Sequence, residues 1–227
     1  NMLLPHFIRN KYPELYQRYI SILCINGRHS HRLNPLIEKL CLPTLVIADL
    51  DTAEKEGHHK AACPERGKGL ISSNYTIASW LMKEKDLDKL LAIPATKKEF
   101  VREAPYKYSI RVAYQTPVTV NYDGADKEAL ASTFEDCLVY TNFSLFKEIS
   151  IDDTGSLVKN VKDKITSAGS FDEFHKGVYD ALRNGKSDQK AKFALDLIYA
   201  VDPGDLIIPA YIAEGLEWLQ SYLKPEE

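Results

Sequence analysis

Residues 45–51 read Leu45-Val46-Ile47-Ala48-Asp49-Leu50-Asp51, an apolar run that ends in two aspartates separated by one residue. A short run of this kind, opened by Pro43, is typical of a buried strand. Side chains two residues apart on a strand share a face, so the pattern predicts that the carboxylates of Asp49 and Asp51 lie together. Carboxylates so placed repel each other unless a cation lies between them, and hard oxygen ligands suit Mg²⁺ or Mn²⁺. The simpler interpretation is two solvated loop aspartates.

The surrounding residues predict an α/β fold. Residues 19–25 are apolar and predict a buried strand that ends at Asn26-Gly27, and residues 34–40 predict a short helix. Strand, helix and strand over this length make a βαβ unit, which predicts a parallel sheet. Further patterns predict a helix over 74–91, a hairpin over 106–122, a helix over 126–140 and mostly helices from 155 to 223.

Composition limits the classes of function. The chain has 227 residues, of which 44% are hydrophobic, and 29 Lys and Arg against 32 Asp and Glu give a formal charge of -3. A surface so close to neutral is not that of a strong polyanion binder throughout, although a local basic face is compatible with it. The four cysteines form no CxxC pair, and no apolar run approaches membrane-spanning length. We therefore expect a reduced, cytoplasmic protein with no membrane partner.

Other charged residues are candidates for the same chemistry. A cation site needs more acidic ligands, and Glu135 is one candidate, although most helix glutamates are simply exposed. A second is Asp152-Asp153, for which we favour a turn that caps the next helix. A lysine such as Lys190 or Lys192 could offset charge on a reacting phosphate, although a solvated helix face is the commoner role. The turn after the first predicted strand carries Arg28, His29 and His31, which could contact substrate phosphates.

Five segments occur in an order that resembles a known family. They are Asn26-Gly27-Arg28-His29-Ser30-His31, residues 42–51, residues 69–76, Thr133-Phe134-Glu135 and residues 190–194. Together they resemble the Toprim core of the OLD (overcoming-lysogenisation-defect) nucleases, and the similarity runs over most of the chain. The ordered set is more specific than the two aspartates alone.

The resemblance implies an α/β fold, with a Toprim-like, mostly parallel sheet flanked by helices in residues 1–150. Residues 151–227 would form an additional, mostly helical domain that contributes a catalytic lysine. The implied activity is that of a metal-dependent endonuclease, which cleaves or nicks DNA by two-metal phosphodiester hydrolysis. Full-length members carry an N-terminal ATPase domain, so we expect a longer ATPase-nuclease polypeptide, and a homodimer of that full-length protein. Toprim domains begin with a glutamate-bearing strand, so we also expect that the first strand is missing here.

The resemblance also assigns roles to residues. Asp49 and Asp51 match the metal-binding aspartates, and Glu135 matches a further metal-ligand glutamate, for two Mg²⁺ or Mn²⁺ ions. Thr133 matches a position whose hydroxyl supports that site. Lys190 matches a basic residue that stabilises the transition state, and Lys192 remains an alternative after a two-residue slip.

Two other functions remain open. In haloacid-dehalogenase-like phosphatases, a DxDxT motif also follows an apolar strand, with its first aspartate as nucleophile and its second as acid and base. Here the threonine is Thr52, one residue early, and Ala53 takes its place. Asp152-Asp153 would then be the late acidic pair. The non-enzymatic alternative is a Toprim scaffold that binds DNA or a partner without cutting.

Overall fold

The computed structural model describes residues 2–25, 28–56, 59–151, 153, 155–185 and 187–224. The chain divides into two compact units. The sheet unit comprises Tyr12–Thr116 and Ala210–Glu227, and the helical unit comprises Asn1–Lys11 and Pro117–Pro209. The predicted division into domains at residue 150 stays a prediction.

The helices are α1 (Leu3–Lys11), α2 (Pro13–Tyr16), α3 (Asn34–Leu40), α4 (Leu87–Ala92), α5 (Phe134–Thr141), α6 (Phe143–Glu148), α7 (Leu157–Ser167), α8 (Phe171–Asn184), α9 (Ser187–Ala200) and α10 (Ala210–Tyr222). The strands are β1 (Thr44–Ile47), β2 (Thr52–Ala53), β3 (Ile71–Ser72), β4 (Glu99–Arg102), β5 (Tyr108–Ala113), β6 (Val118–Tyr122) and β7 (Ala125–Ala129). Short 3-10 helices span Ser30–Leu33 and Ala95–Lys97, and a π-helix spans Thr76–Leu81.

The largest sheet has the order β1-β5-β4 and belongs to the sheet unit. Strand β1 runs parallel to β5, with Ile47 opposite Ala113, whereas β4 pairs with β5 in the antiparallel sense. All six residues of β5 are buried, as expected of a central strand. The α/β class is therefore confirmed, but the sheet is mixed, and the prediction that it is mostly parallel holds only for β1 and β5.

Helix α10 packs on β1 and β5. Gly215 permits this close packing, because a Cβ atom there would lie 2.9 Å from Leu45 Cδ1 and 3.4 Å from Ala113 Cβ. Tyr12 Oη also donates to the carbonyl of Ala213 over 3.3 Å. The core of this unit is formed by Ile37, Val46, Ala48, Leu50, Leu70, Ile77, Leu81, Leu87, Leu90, Tyr108, Ile110, Val112 and Tyr114.

Residues 19–25 do not form the predicted strand. They carry no regular secondary structure, and Tyr19 and Leu23 are 100% and 63% exposed. Within the described residues, β1 pairs with β5 alone, so this apolar segment has no strand beside it. Strand propensity depends on such packing, which explains why the apolar pattern was misleading. The predicted βαβ unit is therefore wrong, although α3 and β1 form as predicted.

The helical unit contains a hairpin that the sequence analysis placed elsewhere. Strands β6 and β7 pair across Asp123 and Gly124, whose φ angles of 49° and 80° suit a type I′ turn. The predicted hairpin over 106–122 is wrong, because its first part is β5, which pairs with β1 and β4. The predicted helix over 126–140 is wrong at its start, because residues 125–129 extend as β7.

Helices α7, α8 and α9 of the helical unit confirm the predicted helical C-terminal part. Ser156 and Ser170 cap α7 and α8, where their side chains accept from the backbone N–H groups of Val158 and Glu173. The buried residues of α8 are Phe174, Val178, Tyr179, Ala181 and Leu182. No helix in the described part of the chain has the length and apolar character needed to cross a membrane.

Candidate functional site

The two aspartates lie beyond the carboxyl end of β1, in the sheet unit. The strand ends at Ile47, and Asp51 has a φ angle of 49°, so the alternation of a regular strand does not extend to these residues. Both side chains are half-buried. The two carboxylates have different hydrogen-bond partners: Gln115 binds Asp49, and Arg28 binds Asp51.

Asp49 is held by a residue on the neighbouring strand's extension. Ile47 pairs with Ala113, so the residues two positions further on, Asp49 and Gln115, face each other across the parallel pair. The Nε2 atom of Gln115 donates to Asp49 Oδ1 over 2.7 Å. The parallel register therefore places a hydrogen-bond donor opposite the first carboxylate.

Gln115 is itself fixed. Its side chain is fully buried, and its Oε1 accepts from the backbone N–H of Leu50 over 2.8 Å. Its Nε2 lies 3.2 Å from Tyr211 Oη on α10. A buried amide with both ends bonded has little freedom to rotate, because each lost bond would leave a buried polar group unsatisfied. Gln115 therefore orients the Asp49 carboxylate rigidly.

The backbone between the aspartates is also tied down. Asn74 Nδ2 donates to the carbonyl of Asp49 over 2.8 Å, and Ser72 Oγ donates to that of Leu50 over 2.6 Å. The carbonyl of Asp51 accepts from both the N–H (3.1 Å) and the hydroxyl (2.8 Å) of Ser73. Three successive carbonyls thus accept from residues 72–74, at the end of β3 and directly after it, which stabilises the unusual φ angle of Asp51.

A basic and aromatic group adjoins the second aspartate. Arg28 Nε donates to Asp51 Oδ2 over 3.2 Å, and the Arg28 side chain is 54% exposed. The rings of His29 and His31 lie 6.0 Å apart, and the ring of His31 lies 4.7 Å from that of Tyr75. Arg28, His29, His31 and Tyr75 are called the aromatic-basic cluster below.

The two carboxylates suit a hard divalent cation in donor type. Mg²⁺ is commonly bound through one or two carboxylates, with water and substrate phosphates completing its shell. The bond from Gln115 to Asp49 is of the kind that orients metal ligands elsewhere. Within the part of the chain that the structure describes, no three His, Cys, Asp or Glu side chains come together as a metal-binding group. The fit therefore rests on Asp49 and Asp51.

Thr133 and Glu135 lie at the start of α5, in the helical unit. Thr133 is the N-cap residue, and its hydroxyl donates to Asp136 Oδ1 over 3.1 Å. The buried Asp136 carboxylate also accepts from the backbone N–H groups of Ser132 and Thr133, at 2.9 and 2.8 Å. This capping box fixes the first turn, where Glu135 is half-buried. Burial raises the pKa of Asp136, and these hydrogen bonds oppose the rise.

The candidate lysines lie on α9 of the same unit. For Lys190 the structure describes the backbone, which is helical. Lys192 Nζ donates to Asp153 Oδ2, and this bond raises the pKa of Lys192 and lowers that of Asp153. Asp152, the other half of the acidic pair, lies outside the described residues. Asp153 also accepts from the N–H of Gly155, as a turn before α7 would.

The sequence analysis missed the residues that hold the aspartates. Gln115 is 66 residues from Asp49, and Asn74 is 25 residues away, so neither belongs to a local motif. The parallel pairing of β1 with β5 would have indicated Gln115, but the sequence analysis placed the residues of β5 in a hairpin over 106–122. Tyr75 was noted only as part of a family-like segment.

Comparisons with known proteins identify sequences that are similar to this chain. The family model described as "Overcoming lysogenization defect protein-like, TOPRIM domain" matches residues 1–51, a segment that ends at Asp51. Endonuclease GajA of Bacillus cereus (strain HuB5-5) is 29% identical over 234 aligned residues, which cover 99% of this chain and 30% of that protein. The chain thus spans less than a third of that relative's length. No solved structure matches this chain. The predicted resemblance to the OLD family is confirmed, and residues 1–51 carry an OLD-like TOPRIM sequence.

Proposed function

We propose that this chain is the nuclease region of a longer OLD-family ATPase-nuclease, and that it nicks or cuts DNA with Mg²⁺ or Mn²⁺. One observation carries the proposal. Asp49 and Asp51 follow a parallel strand, the Asp49 carboxylate is held by the buried amide of Gln115, and both aspartates lie within the segment that matches the OLD-like TOPRIM family. Similarity to a protein named as an endonuclease over nearly the whole chain supports the same activity.

Asp49 and Asp51 would hold the cations. Two bound ions would supply an activated water and stabilise the leaving oxygen of the phosphodiester. Gln115 keeps the Asp49 carboxylate in one orientation, so that little reorganisation is needed when a cation binds. Without a cation, the guanidinium group of Arg28 offsets the negative charge of Asp51.

The helical unit would supply the remaining groups. Glu135 is proposed as a further metal ligand, and Thr133 as the residue that fixes the helix turn on which Glu135 lies. Lys190 is proposed to stabilise the extra negative charge of the transition state. Lys192 is the weaker candidate, because its ammonium group already binds Asp153.

DNA would be contacted mainly through its phosphates. Arg28 lies beside Asp51, and the loop between β2 and β3 carries further exposed basic side chains. They include Lys55, His59, Lys60 and Arg66. Phosphate contacts release counterions, so binding would weaken steeply with salt and carry little sequence readout. The other proposed partners are the ATPase domain of the same polypeptide and a second full-length copy.

The test is nicking of supercoiled plasmid by this chain, and by a form extended upstream, with Mn²⁺, Mg²⁺ or EDTA. We expect metal-dependent cleavage that Asp51→Asn abolishes. Asparagine tolerates a positive φ angle, so this change removes the charge and spares the backbone. Asp123→Asn is the matched control, since Asp123 also has a φ angle of 49° but lies in the β6–β7 turn.

Two outcomes would contradict the proposal. Hydrolysis of a generic phosphomonoester, with no cleavage of DNA by either form, would replace it with the phosphatase. Binding of Mn²⁺ and DNA without turnover by either form would indicate the non-catalytic scaffold. Equal loss of cleavage in Asp123→Asn would mean that the substitutions act through folding.

A further inference from the structure

The aromatic-basic cluster has exposed rings on a turn and a helix start that both bind the aspartate segment. Tyr75 is 58% exposed, and His29 is also exposed. His31 is half-buried and contacts both of their rings. Its Nδ1 atom is buried with no hydrogen-bond partner in the described part of the chain. Ring packing, and not a hydrogen bond through Nδ1, therefore holds His31 against Tyr75.

The cluster is joined to both aspartates. On one side, Arg28 binds the Asp51 carboxylate, and His29 follows it in the chain. On the other side, Asn74 binds the carbonyl of Asp49, and Tyr75 follows it. The ring contact between His31 and Tyr75 joins the two sides of the cluster to each other. The exposed rings therefore lie next in the chain to two residues, Arg28 and Asn74, that bind the aspartate segment.

Exposed aromatic rings beside cationic groups are suited to a particular ligand. A nucleobase stacks on an aromatic face whatever its sequence, while the adjoining phosphate is attracted to a guanidinium group. Stacking needs an unpaired base, because the faces of a paired base are covered by its neighbours in the duplex. Arg28, which binds Asp51 and is 54% exposed, is the guanidinium group available for such a phosphate.

We propose that Tyr75, backed by His31, is a stacking platform for an unpaired nucleobase beside Asp49 and Asp51. The preferred substrate is then single-stranded or locally unpaired DNA, and a base stacked on Tyr75 sets the phosphate presented to the carboxylates. This inference rests on the proposed nuclease function, whose substrate class it specifies.

The test measures binding and not cleavage. Fluorescence anisotropy in EDTA would compare a short labelled oligothymidylate with an abasic sugar-phosphate oligomer of the same length. Tyr75→Ala should weaken oligothymidylate binding by about tenfold and leave abasic binding unchanged, since the variant loses the stacking of one base. Tyr75→Phe should bind like the unaltered chain. A 2-aminopurine in the oligomer should be quenched by that chain and not by Tyr75→Ala.

Tyr106→Ala is the matched control. Tyr106 is 72% exposed, but it precedes β5, whereas Asp49 follows β1. Because the two strands are parallel, Tyr106 and Asp49 lie at opposite ends of the pair. Equal binding of both oligomers by the unaltered chain, or an equal loss of both in Tyr75→Ala, would overturn the platform and leave the nuclease proposal standing. Failure of the unaltered chain to bind either oligomer would overturn the platform together with DNA binding by this chain.

Discussion

Gln115 donates to the carboxylate of Asp49 over 2.7 Å while its carbonyl oxygen accepts from the N–H of Leu50 over 2.8 Å. One buried amide thus forms hydrogen bonds with both a side chain and the backbone of the aspartate segment. It can do so because the parallel register of β1 and β5 sets residues 49 and 115 opposite each other. The sheet itself therefore orients the first candidate metal ligand.

Gln115→Ala should weaken Mn²⁺ binding and cleavage by about 10- to 100-fold, the range found when a partner of a metal ligand is removed. It should also lower the free energy of unfolding by about 1–3 kcal/mol, because the N–H of Leu50 loses its partner in a buried place. Mn²⁺ titration by electron paramagnetic resonance, together with urea unfolding, would measure both effects.

Asn142→Ala is the control for that loss of stability. Asn142 is another buried amide with both ends bonded, since its Nδ2 donates to the carbonyl of Ile207 and its Oδ1 accepts from the same residue's N–H. It lies at the C-terminal end of α5, at the opposite end of that helix from Glu135, and it does not contact the aspartate segment in the described structure, so Mn²⁺ binding by Asp49 should not change. A matching loss of Mn²⁺ affinity in both variants would show that Gln115 acts only through stability.

Arg28→Ala should raise Mn²⁺ affinity in the absence of DNA. The guanidinium group and a cation compete for Asp51, and removing the guanidinium group removes that competition. The gain should not exceed about fivefold, because exposed ion pairs contribute about 0–1 kcal/mol. DNA binding should weaken at the same time, with a shallower dependence on salt. Arg32→Ala, at an exposed position nearby, should leave Mn²⁺ affinity unchanged, and lower affinity in Arg28→Ala would contradict the competition.

The fold could be predicted where local pattern and tertiary context agree. Strand β1 lies between Pro43 and the aspartates, and its apolar residues find the partner strand β5. Residues 19–25 are equally apolar, but the described structure gives them no strand to pair with, so their pattern alone was not sufficient. The Asp123-Gly124 pair is a strong hairpin signal that the helical interpretation of the following residues overrode.

The candidate site could be predicted only in its charged residues. Asp49 and Asp51 stand out because two carboxylates with a spacing of two follow an apolar run directly. Gln115 and Asn74 are neutral amides far away in the sequence, and only the register and the loop path bring them to the aspartates. Polar groups that orient a site are chosen by three-dimensional contacts, so a single sequence carries little trace of them.

Thr133→Ala should lower the free energy of unfolding by about 1 kcal/mol, as expected for a lost N-cap. It should also slow cleavage several-fold, because the helix start that carries Glu135 loosens. Ser170→Ala removes the cap of α8 and should cost similar stability without slowing cleavage. Thr133→Ser keeps the hydroxyl and should restore both properties. Full stability in Thr133→Ala would contradict the capping role.

Lys190→Ala should lower the cleavage rate by about 100-fold or more while DNA binding changes little, the effect of losing one group that stabilises transition-state charge. Lys192→Ala should cost only a few-fold, since its ammonium group binds Asp153. Single-turnover cleavage and anisotropy would separate the rate from the affinity. The reverse ranking would assign the role to Lys192 and require it to leave Asp153.

Lys98 should make the stability of the chain rise with pH. It is 3% exposed, its Nζ lies 4.0 Å above the ring of Tyr114, and burial lowers its pKa from 10.5 to about 8. Glu214 opposes that lowering and Arg111 adds to it. Between these two pKa values the unfolded chain binds more protons than the folded chain, so the free energy of unfolding increases with pH.

From pH 7.5 to pH 9.5 the increase should be about 2 kcal/mol, at 1.36 kcal/mol for each pH unit above the folded pKa. Above about pH 10 the trend should reverse, because burial raises the pKa of Tyr114 and the unfolded chain loses that proton first. Lys98→Met should abolish the rise, whereas Lys97→Met, at an exposed neighbour, should retain it. Urea unfolding across this pH range would measure the effect, and the same rise in Lys98→Met would assign it to other groups.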